Sequence, residues 1–306
     1  MKQLSILIPA YDSLCTQLVE DLHADAVAAG LQNFEILVAE DGTNDPVVVR
    51  ENEKVFQRLS HVRHRDWLKN RGRAAIRNLL AREARYEWLL FVDSHMSLTE
   101  QSRTEPGSFL KKYLDAECDL VYGGYVVEAD EVMWNDNLRY RYELASAHIN
   151  QQNSYCEEVP MSNFHHFHTA NFLIKREILL AHPFDENLHR YGYEDDLFGR
   201  DLAQAGLKLL RIDNPLAFTT FEENEVFVEK TEQALQTLHE FAFRMEVYSR
   251  LLRLVHRMER LHLVTPYIYI YRWKKKKWRD NLLSDSPSVK CFQLYKLGYF
   301  LSLSGN

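Results

Sequence analysis

Three short apolar runs in the first 92 residues constrain the fold most strongly. They are Leu4–Pro9, Phe34–Ala39 and Trp88–Val92. Runs of this length, bounded by turn residues, are typical of strands buried on both faces. The segments Thr16–Ala29 and Arg73–Arg85 have helical spacing or helical composition and lie between the runs. Alternating strands and helices predict an α/β fold, in which helices flank both faces of a mostly parallel sheet.

Acidic residues follow each of these predicted strands directly. They are Asp12, Glu40, Asp41 and Asp93. The carboxyl ends of parallel strands meet at one edge of a sheet, and ligands of open α/β sheets bind beyond that edge. The sequence therefore predicts a ligand site that these carboxylates line.

The rest of the chain is predicted with less detail. We expect a fourth strand interrupted at Gly123-Gly124, a helix, a strand that continues into a helix, and a long amphipathic helix or helix pair. The corresponding segments are 119–127, 138–151, 172–180 and 226–261.

Composition excludes several classes of protein. The chain has 306 residues, which suits one large or two small domains, and its four cysteines form no C-x-x-C pair. A disulfide scaffold and a zinc finger are therefore not expected. The start of the chain lacks the pattern of a secretory leader, and no apolar stretch reaches the length of a membrane span. We expect a reduced, soluble, cytoplasmic protein.

The C-terminal region is basic although the whole chain has a net charge of −7. From Arg244 onward there are 13 Lys and Arg against 4 Asp and Glu. Tyrosines and tryptophans flank the basic run Arg272–Arg279, a combination that suits an anionic membrane surface. No nucleic-acid module accompanies the run, so we predict a membrane rather than nucleic acid. The alternative is a solvated end of the chain.

Asp93-Ser94-His95 follows the third strand. A carboxylate and an imidazole two residues apart can face one divalent cation, and Mn²⁺ accepts both ligand types. The alternative is that Asp93 caps a turn.

Gly192–Asp196 places three carboxylates in a row beside tyrosines. Neighbouring like charges raise one pKa and can produce a general base. The alternative is that these acids cap a helix over Leu197–Gly206, and both roles can coexist.

Two further clusters are less specific. Asn70 and Arg77 could meet a phosphate or a sugar, although spacing alone favours solvated side chains. His165-His166-x-His168 lacks the glutamate of a zinc-protease helix, so contact with a sugar acceptor or simple packing is favoured over a metal role.

Taken in order, eight motifs resemble the family 2 glycosyltransferases of the GT-A fold. The resemblance covers roughly Gln3–Phe221 and departs from the family at His95, where the usual D-x-D motif has its second aspartate. The motifs are Ser5–Tyr11, Glu35–Thr43, Asn70-Arg71-Gly72, Arg77-Asn78, Leu90–His95, Thr169–Arg176, Phe184-Asp185-Glu186 and Gly192–Asp195.

The resemblance implies a GT-A-type (Rossmann-like) catalytic domain over residues 1–222 and a helical, basic-aromatic extension over 223–306. It also implies roles for single residues. Asp93 and His95 would bind Mn²⁺ or Mg²⁺, and Asp195, next to Glu194, would be the catalytic base. The donor nucleotide sugar would contact Pro9, Tyr11, Glu40, Asp41, Asn70, Arg77, Asp93 and Ser94. Candidate acceptor contacts are Trp134, His166, His168 and Tyr193.

The implied activity is transfer of a sugar from a nucleotide-sugar donor, with UDP favoured, to a hydroxyl of a saccharide or a lipid-linked acceptor. We expect this in cell-surface polysaccharide biosynthesis, with the amphipathic helix and the basic-aromatic tail docked on the inner membrane face. Glu194-Asp195 fits the inverting pattern. His95 leaves a retaining enzyme as an alternative, because the polypeptide N-acetylgalactosaminyltransferases have a D-x-H motif and retain configuration.

Other classes explain the motifs less well. A nucleotidyltransferase of the same fold generally has a Gly-rich, basic loop after the first strand, and Pro9–Ser13 has neither feature. His95 would also suit an inactive, binding-only protein, but Asp93 and Asp195 are present. A nucleic-acid adaptor would leave the acidic strand ends unexplained.

Overall fold

The computed structural model describes residues 3–150, 158–160, 167–188, 190–246 and 249–303. The chain divides into two compact units. The first comprises residues 1–128, 153–189 and 198–219, and the second comprises 129–152, 190–197 and 220–306. The sequence predicted a catalytic domain over residues 1–222 and an extension over 223–306. That functional division stays a prediction.

The strands are β1 (Leu4–Ala10), β2 (Phe34–Asp41), β3 (Val62–Trp67), β4 (Trp88–Val92), β5 (Ser97–Leu98), β6 (Leu120–Tyr122), β7 (Tyr125–Val127), β8 (Glu158–Pro160), β9 (Asn171–Lys175), β10 (Lys208–Arg211) and β11 (Leu216–Phe218). The helices are α1 (Thr16–Ala28), α2 (Pro46–Phe56), α3 (Arg73–Glu83), α4 (Glu100–Thr104), α5 (Ser108–Asp115), α6 (Glu131–Trp134), α7 (Leu138–Asn150), α8 (Arg176–Ala181), α9 (Glu194–Gln204), α10 (Asn224–Glu240), α11 (Ala242–Met245), α12 (Arg250–Arg260), α13 (Val264–Leu282) and α14 (Val289–Leu303).

The first unit is built on a mostly parallel sheet, as predicted. Within the described parts of the chain, eight strands pair in the order β3-β2-β1-β4-β9-β6-β10-β8. The first four are parallel to one another, β9 runs antiparallel between β4 and β6, and β10 is parallel to β6. A small second sheet has the order β5-β11-β7.

The central strands are buried because their residues are mostly apolar and the few acidic residues of β2 have hydrogen-bond partners. Every residue of β4 is buried, as is every residue of β2. Helix α3 packs Ala74, Ile76 and Leu80 into the same core as Leu7 of β1 and Phe91 of β4. This packing fixes the position of α3 beside the carboxyl end of β4.

The predicted fourth strand is two strands in two different sheets. β6 ends at Tyr122 and β7 begins at Tyr125, so the expected single strand was wrong in this respect. A side chain at Gly123 would lie 2.2 Å from the Tyr113 hydroxyl, and Gly124 has φ +74°. Only glycines allow the chain to cross from one sheet to the other here.

The second unit is helical. The amphipathic run over 226–261 forms α10, α11 and α12 rather than one continuous helix. A core from α7, α10, α13 and α14 holds the unit together, and it contains Leu138, Phe227, Val228, Tyr271, Leu282, Phe292 and Tyr295.

The basic-aromatic segment lies in helix α13. The alternative prediction, a fully solvated chain end, is therefore wrong for the buried part of this helix. Tyr271, in the middle of the segment, is 1% exposed. Pro266 is the third residue of this helix, where its missing N–H removes no helical hydrogen bond. Searching the described residues, we find no helix that is both long and apolar enough to cross a membrane.

Candidate functional site

The polar residues of the first unit gather where the sequence analysis placed them. In the parallel register Ala10 pairs with Glu40, and Leu7 pairs with Phe91, two residues before Asp93. The carboxyl ends of β1, β2 and β4 therefore meet at one edge of the sheet.

Asp93 is paired with a buried arginine. Arg77 of α3 is 2% exposed, and its Nη2 donates to Asp93 Oδ1 at 2.6 Å, while Nη1 donates to the Arg73 carbonyl at 3.1 Å. The Asp93 N–H donates to the carbonyl of Ala170 at 3.1 Å, and the Asp93 carbonyl accepts from Met96 at 3.0 Å. The Asp93 side chain keeps 13% exposure. The expectation that Arg77 is surface-solvated is therefore wrong, and Arg77 orients the carboxylate of Asp93.

Asp41 organises the loop before α3. Its Oδ1 accepts from the Arg71 N–H at 2.8 Å and its Oδ2 from the Gly72 N–H at 3.0 Å. Asn70 Oδ1 accepts from the same Gly72 N–H at 3.0 Å. Burial raises the pKa of the Asp41 carboxyl, and the two backbone hydrogen bonds offset only part of the rise.

Gly42 allows this loop to approach the end of β2. It has φ +72°, and a side chain there would lie 2.2 Å from the Asn70 backbone nitrogen. A glycine is required on both counts. The sequence Glu40-Asp41-Gly42 thus encodes one structural unit, in which the acids and the glycine are all needed.

Glu40 is fully buried and has protein donors on both oxygens. Thr43 Oγ1 donates to Oε2 at 2.5 Å, and Asn52 Nδ2 donates to Oε1 at 2.7 Å. His64 Nε2 lies 3.8 Å from Oε1. Burial acts to raise the pKa of Glu40, but the contacts with His64, Thr43 and Asn52 outweigh it, so this pKa lies below its ordinary value. Glu40 therefore fixes α2 and the turn after β2.

A second set of contacts joins the loop after β1 to the loop after β2. Asn44 Nδ2 donates to the Tyr11 hydroxyl at 2.8 Å, and its backbone N–H donates to Asp12 Oδ1 at 2.7 Å. Asp12 adopts φ +46°, a conformation in which aspartate is over-represented. Tyr11 stays 48% exposed. Asn44 was not among the predicted site residues, and its one signal in the sequence is the turn composition Gly-Thr-Asn-Asp.

His95 lies at one end of a row of aromatic rings. It is exposed, and its ring is 5.3 Å from Phe218, edge to face. Phe218 is 6.4 Å from Tyr125, which is 5.5 Å from His168. The structure thus links a predicted metal ligand and a predicted acceptor contact through one small sheet. His165 and His166 lie outside the described residues.

The carboxylate of Asp93 and the imidazole of His95 are donors that Mn²⁺ accepts. Within the described ranges, no cluster of three or more His, Cys, Asp or Glu side chains could enclose a metal ion. A cation on Asp93 and His95 would therefore take its other ligands from water or from a substrate phosphate, as Mg²⁺ commonly does in phosphate-transfer sites. Ser94, between them, is buried, and its carbonyl accepts from Ser13 Oγ at 3.4 Å.

The second unit contains the predicted base. Helix α9 begins at Glu194, three residues before the predicted start at Leu197, because the acids themselves form its first turn. The positive end of the helix dipole stabilises carboxylates there. Glu194 is 4% exposed, whereas Asp195 is only partly buried.

The residues before α9 have a constrained backbone. Gly192 has φ +94° and Tyr193 has φ +67°. A side chain at Gly192 would lie 2.6 Å from the Ala234 side chain, and Thr237 Oγ1 donates to the Tyr191 carbonyl at 3.1 Å. A non-glycine residue in this conformation costs roughly 1–3 kcal/mol and is common at functional sites. Burial raises the pKa of the Tyr193 phenol, and the charge of Asp196 raises it further.

Trp134 also lies in the second unit, at the end of α6. Its ring contacts Phe221 edge to face at 5.3 Å. It lines an open cavity of about 380 Å³ together with polar side chains that include Asp136, Asn137 and Glu223. A partly exposed tryptophan beside polar groups is the chemistry that a sugar acceptor needs.

The sheet, its polar edge and the helices around it define an α/β protein with a cluster of polar residues at the carboxyl ends of its parallel strands. The profile of Glycosyl transferase family 2 matches residues 5–181, more than half of the chain. The chain belongs to this family. No curated protein matches the sequence.

Solved structures show the same fold, a GT-A-like Rossmann fold. S. aureus TarS 1–349 in complex with UDP-GlcNAc is 17% identical, with a TM-score of 0.51 over 99% of this chain and 92% of that one. The mannosyltransferase PcManGT from Pyrobaculum calidifontis, in complex with GDP-Man and Mn²⁺, is 14% identical, with a TM-score of 0.53 over 99% and 86%. The chain spans 44% of a longer TarS chain, at 19% identity and a TM-score of 0.49, with 81% of this chain covered.

Proposed function

We propose that the protein transfers a sugar from a nucleotide-sugar donor to a hydroxyl group of a saccharide or lipid-linked acceptor. Family membership supports this activity. The observation that carries it is Asp93, positioned at the carboxyl end of β4 by the buried Arg77. A ligand of this sheet is expected beyond that edge.

The donor proposed is a UDP-sugar, whose nucleotide contacts Pro9, Tyr11 and Asp41. The proteins of similar fold have been solved with UDP-GlcNAc, UDP and GDP-Man, which supports a nucleotide sugar without choosing the base. Tyr11, in the loop after β1, and Asp41, at the end of β2, are both held by hydrogen bonds, which supports a preformed site. Glu40, Asn70, Arg77 and Ser94 are proposed to support or contact the same donor.

Asp93 and His95 are proposed to bind Mn²⁺ or Mg²⁺ as a D-x-H form of the D-x-D motif. The carboxylate and imidazole suit Mn²⁺, and PcManGT was solved with this ion. A bound cation would offset the negative charge that builds on the leaving nucleoside diphosphate. Arg77 would keep the Asp93 carboxylate aimed at the diphosphate.

Asp195 is proposed as the base that removes the proton from the acceptor hydroxyl, with inversion at the anomeric carbon. Its partial exposure and its place in the first turn of α9 support this role. Trp134, His168 and Tyr193 are proposed acceptor contacts, and His166 is a candidate outside the described residues. Since His95 also suits a retaining enzyme, NMR assignment of the product's anomeric configuration tests this point. A retained configuration would contradict inversion.

The proposed setting is cell-surface polysaccharide biosynthesis in the cytoplasm, at the inner face of the membrane. The basic C-terminal region supports a membrane location. The acceptor is then a saccharide or a lipid-linked saccharide.

The test is release of nucleoside diphosphate from a panel of sugar nucleotides, with Mn²⁺ or with EDTA. Many transferases hydrolyse their donor slowly without an acceptor, so no acceptor need be known. The variants are Asp93→Asn and, as a matched control, Asp119→Asn. Asp119 also pairs with a cationic side chain, Lys175 at 2.9 Å, but lies at the opposite edge of the sheet.

Release from one donor, lost with EDTA and in Asp93→Asn but kept in Asp119→Asn, is the expected result. Equal release by both variants would contradict the proposed role of Asp93. Absence of both turnover and donor binding, the latter measured by calorimetry, would contradict the transferase proposal itself.

A further inference from the structure

Helix α12 has two sharply different faces. Leu252, Val255 and Met258 are buried against the second unit. The opposite side has an arginine at spacings of three, four and three residues, and all four arginines are exposed: Arg250, Arg253, Arg257 and Arg260. Residues at these spacings share one side of a helix. We call these four residues the arginine face.

Helix α13 presents large apolar side chains outward. Tyr271 and Leu282 face the core of the second unit. On the other side Tyr269 is 68% exposed, Ile270 46% and Trp273 80%. One turn further along the same side are the exposed Lys276 and Lys277. We call Tyr269, Ile270, Trp273, Lys276 and Lys277 the aromatic face.

The loop between the two helices also exposes apolar side chains. Leu261 is 59% exposed and Leu263 is 47% exposed. Apolar side chains exposed to this extent, next to arginines and lysines, are costly in water unless something covers them. The whole segment from 250 to 277 belongs to the second unit, so its exposure is a property of that unit alone.

The chemistry of this surface matches one occupant best. Arginines and lysines attract anionic lipid headgroups, and tryptophan and tyrosine prefer the headgroup level of a bilayer. An amphipathic helix with basic residues and a tryptophan binds in the interface plane. Four like charges on one helix face would repel a second copy of the same face.

We propose that the arginine face and the aromatic face together form a docking surface for a bilayer that contains anionic phospholipids. Trp273 and Tyr269 enter the headgroup layer, and the arginines contact lipid phosphates. The hypothesis from sequence placed membrane binding in the amphipathic helix and the basic-aromatic tail after Phe221. The structure narrows it to the exposed side chains of α12 and α13. The purpose of this surface, which is to bring the enzyme to a lipid-linked acceptor, rests on the proposed transferase function. Vesicle binding itself does not.

The test is co-sedimentation of the full chain with vesicles of phosphatidylcholine alone or mixed with phosphatidylglycerol. Binding is expected only with phosphatidylglycerol and is expected to weaken as salt rises. Arg253→Gln with Arg257→Gln should weaken partitioning about 30-fold, since each basic residue near an anionic surface contributes roughly a factor of five. Trp273→Ala should weaken it about tenfold.

Matched controls remove the same chemistry elsewhere. Arg103→Gln with Lys111→Gln removes two exposed charges from the first unit, and Val27→Ala trims an apolar side chain that is 59% exposed. Both control variants should partition like the unchanged protein. Circular dichroism checks that every variant is folded.

Equal binding to neutral vesicles, or unchanged binding by the double arginine variant, would overturn the proposal. So would a protein that does not bind vesicles but forms a dimer that Trp273→Ala dissociates. Capture of a single-stranded oligonucleotide without vesicle binding would assign the surface to nucleic acid and also overturn it. Vesicle binding needs no turnover, so a failed transferase assay would not be mistaken for a failure of this surface.

Discussion

The two units of the chain differ in how their charged residues are placed. In the first unit the acidic residues at the strand ends are tied to backbone and side-chain donors, as Asp41 is to the 70–72 loop and Asp93 to Arg77. In the second unit most of the basic residues of α12 and α13 lie exposed on helix surfaces. A preformed polar edge suits a small ligand that must be oriented, whereas an exposed basic surface suits a large, diffuse partner.

The largest expected effect comes from breaking the buried pair in the first unit. Arg77→Ala leaves Asp93 without its partner, and removing one member of a buried ion pair costs about 3–5 kcal/mol. We expect a loss of that order in the free energy of unfolding, measured by urea denaturation, and loss of nucleoside diphosphate release.

The lysine variant separates stability from positioning. Arg77→Lys keeps a positive charge but cannot make both observed hydrogen bonds. It should recover most of the stability and only part of the activity. Full activity in Arg77→Ala would contradict the positioning role of Arg77.

The second effect concerns the close approach at Gly42. Gly42→Ala adds both a strained φ and a collision with the Asn70 backbone, and should destabilise the protein by about 3 kcal/mol. Gly30→Ala is the matched control, because Gly30 has φ +75° with nothing within 4 Å of the added carbon. Its cost should be about 1 kcal/mol. Urea denaturation measures the free energy of unfolding of both variants. Equal decreases would show that the loop around Asn70 moves to accommodate the added carbon, which would contradict the close approach.

The third effect tests packing in the second unit. Gly298 lies inside α14, so helix propensity alone predicts that Gly298→Ala stabilises the protein by about 1 kcal/mol. The added carbon would lie 2.1 Å from the buried Tyr271 ring, and overpacking costs about 1–3 kcal/mol. We expect net destabilisation, removed in a Tyr271→Leu background. Net stabilisation in the unchanged background would contradict tight packing of α13 on α14.

The smallest effect is the pH dependence contributed by Glu40. Its pKa is lower in the folded protein than the ordinary value of 4.5, so its contribution to stability is present above pH 4.5 and disappears as the pH falls through the folded pKa. Glu40→Gln should therefore lose stability mainly near neutral pH, and its free energy of unfolding should vary less below pH 4.5. If the free energy of unfolding of the variant fell more steeply below pH 4.5 than that of the unchanged protein, the contacts assigned to Glu40 would be contradicted.

The sequence predicted the central strands well because their signal, a short run of apolar residues, lies within each segment. β1, β2 and β4 are buried on both faces, and their apolar runs show it directly. β3 was missed because it is an edge strand whose residues Val62–Trp67 are mostly polar and only half-buried. The split of the predicted fourth strand depended on the space around Gly123, which is a tertiary property.

The same limit applies to the candidate site. The types of residue at the strand ends were predictable, since parallel strands place their carboxyl ends together. Their partners were not, because the pairing of Arg77 with Asp93 and of Asn44 with Tyr11 depends on how a helix and a loop pack on the sheet. The sequence placed membrane binding in the amphipathic helix and the basic-aromatic tail, but which of their side chains are exposed depends on how α12 and α13 pack in the second unit.

The most direct test of the account is calorimetric titration of UDP into the protein with and without Mn²⁺. We predict binding that requires Mn²⁺, is lost in Asp93→Asn and is kept in Asp119→Asn. Binding of UDP that is unchanged by Mn²⁺ and unchanged in Asp93→Asn would contradict a donor site at the carboxyl end of β4.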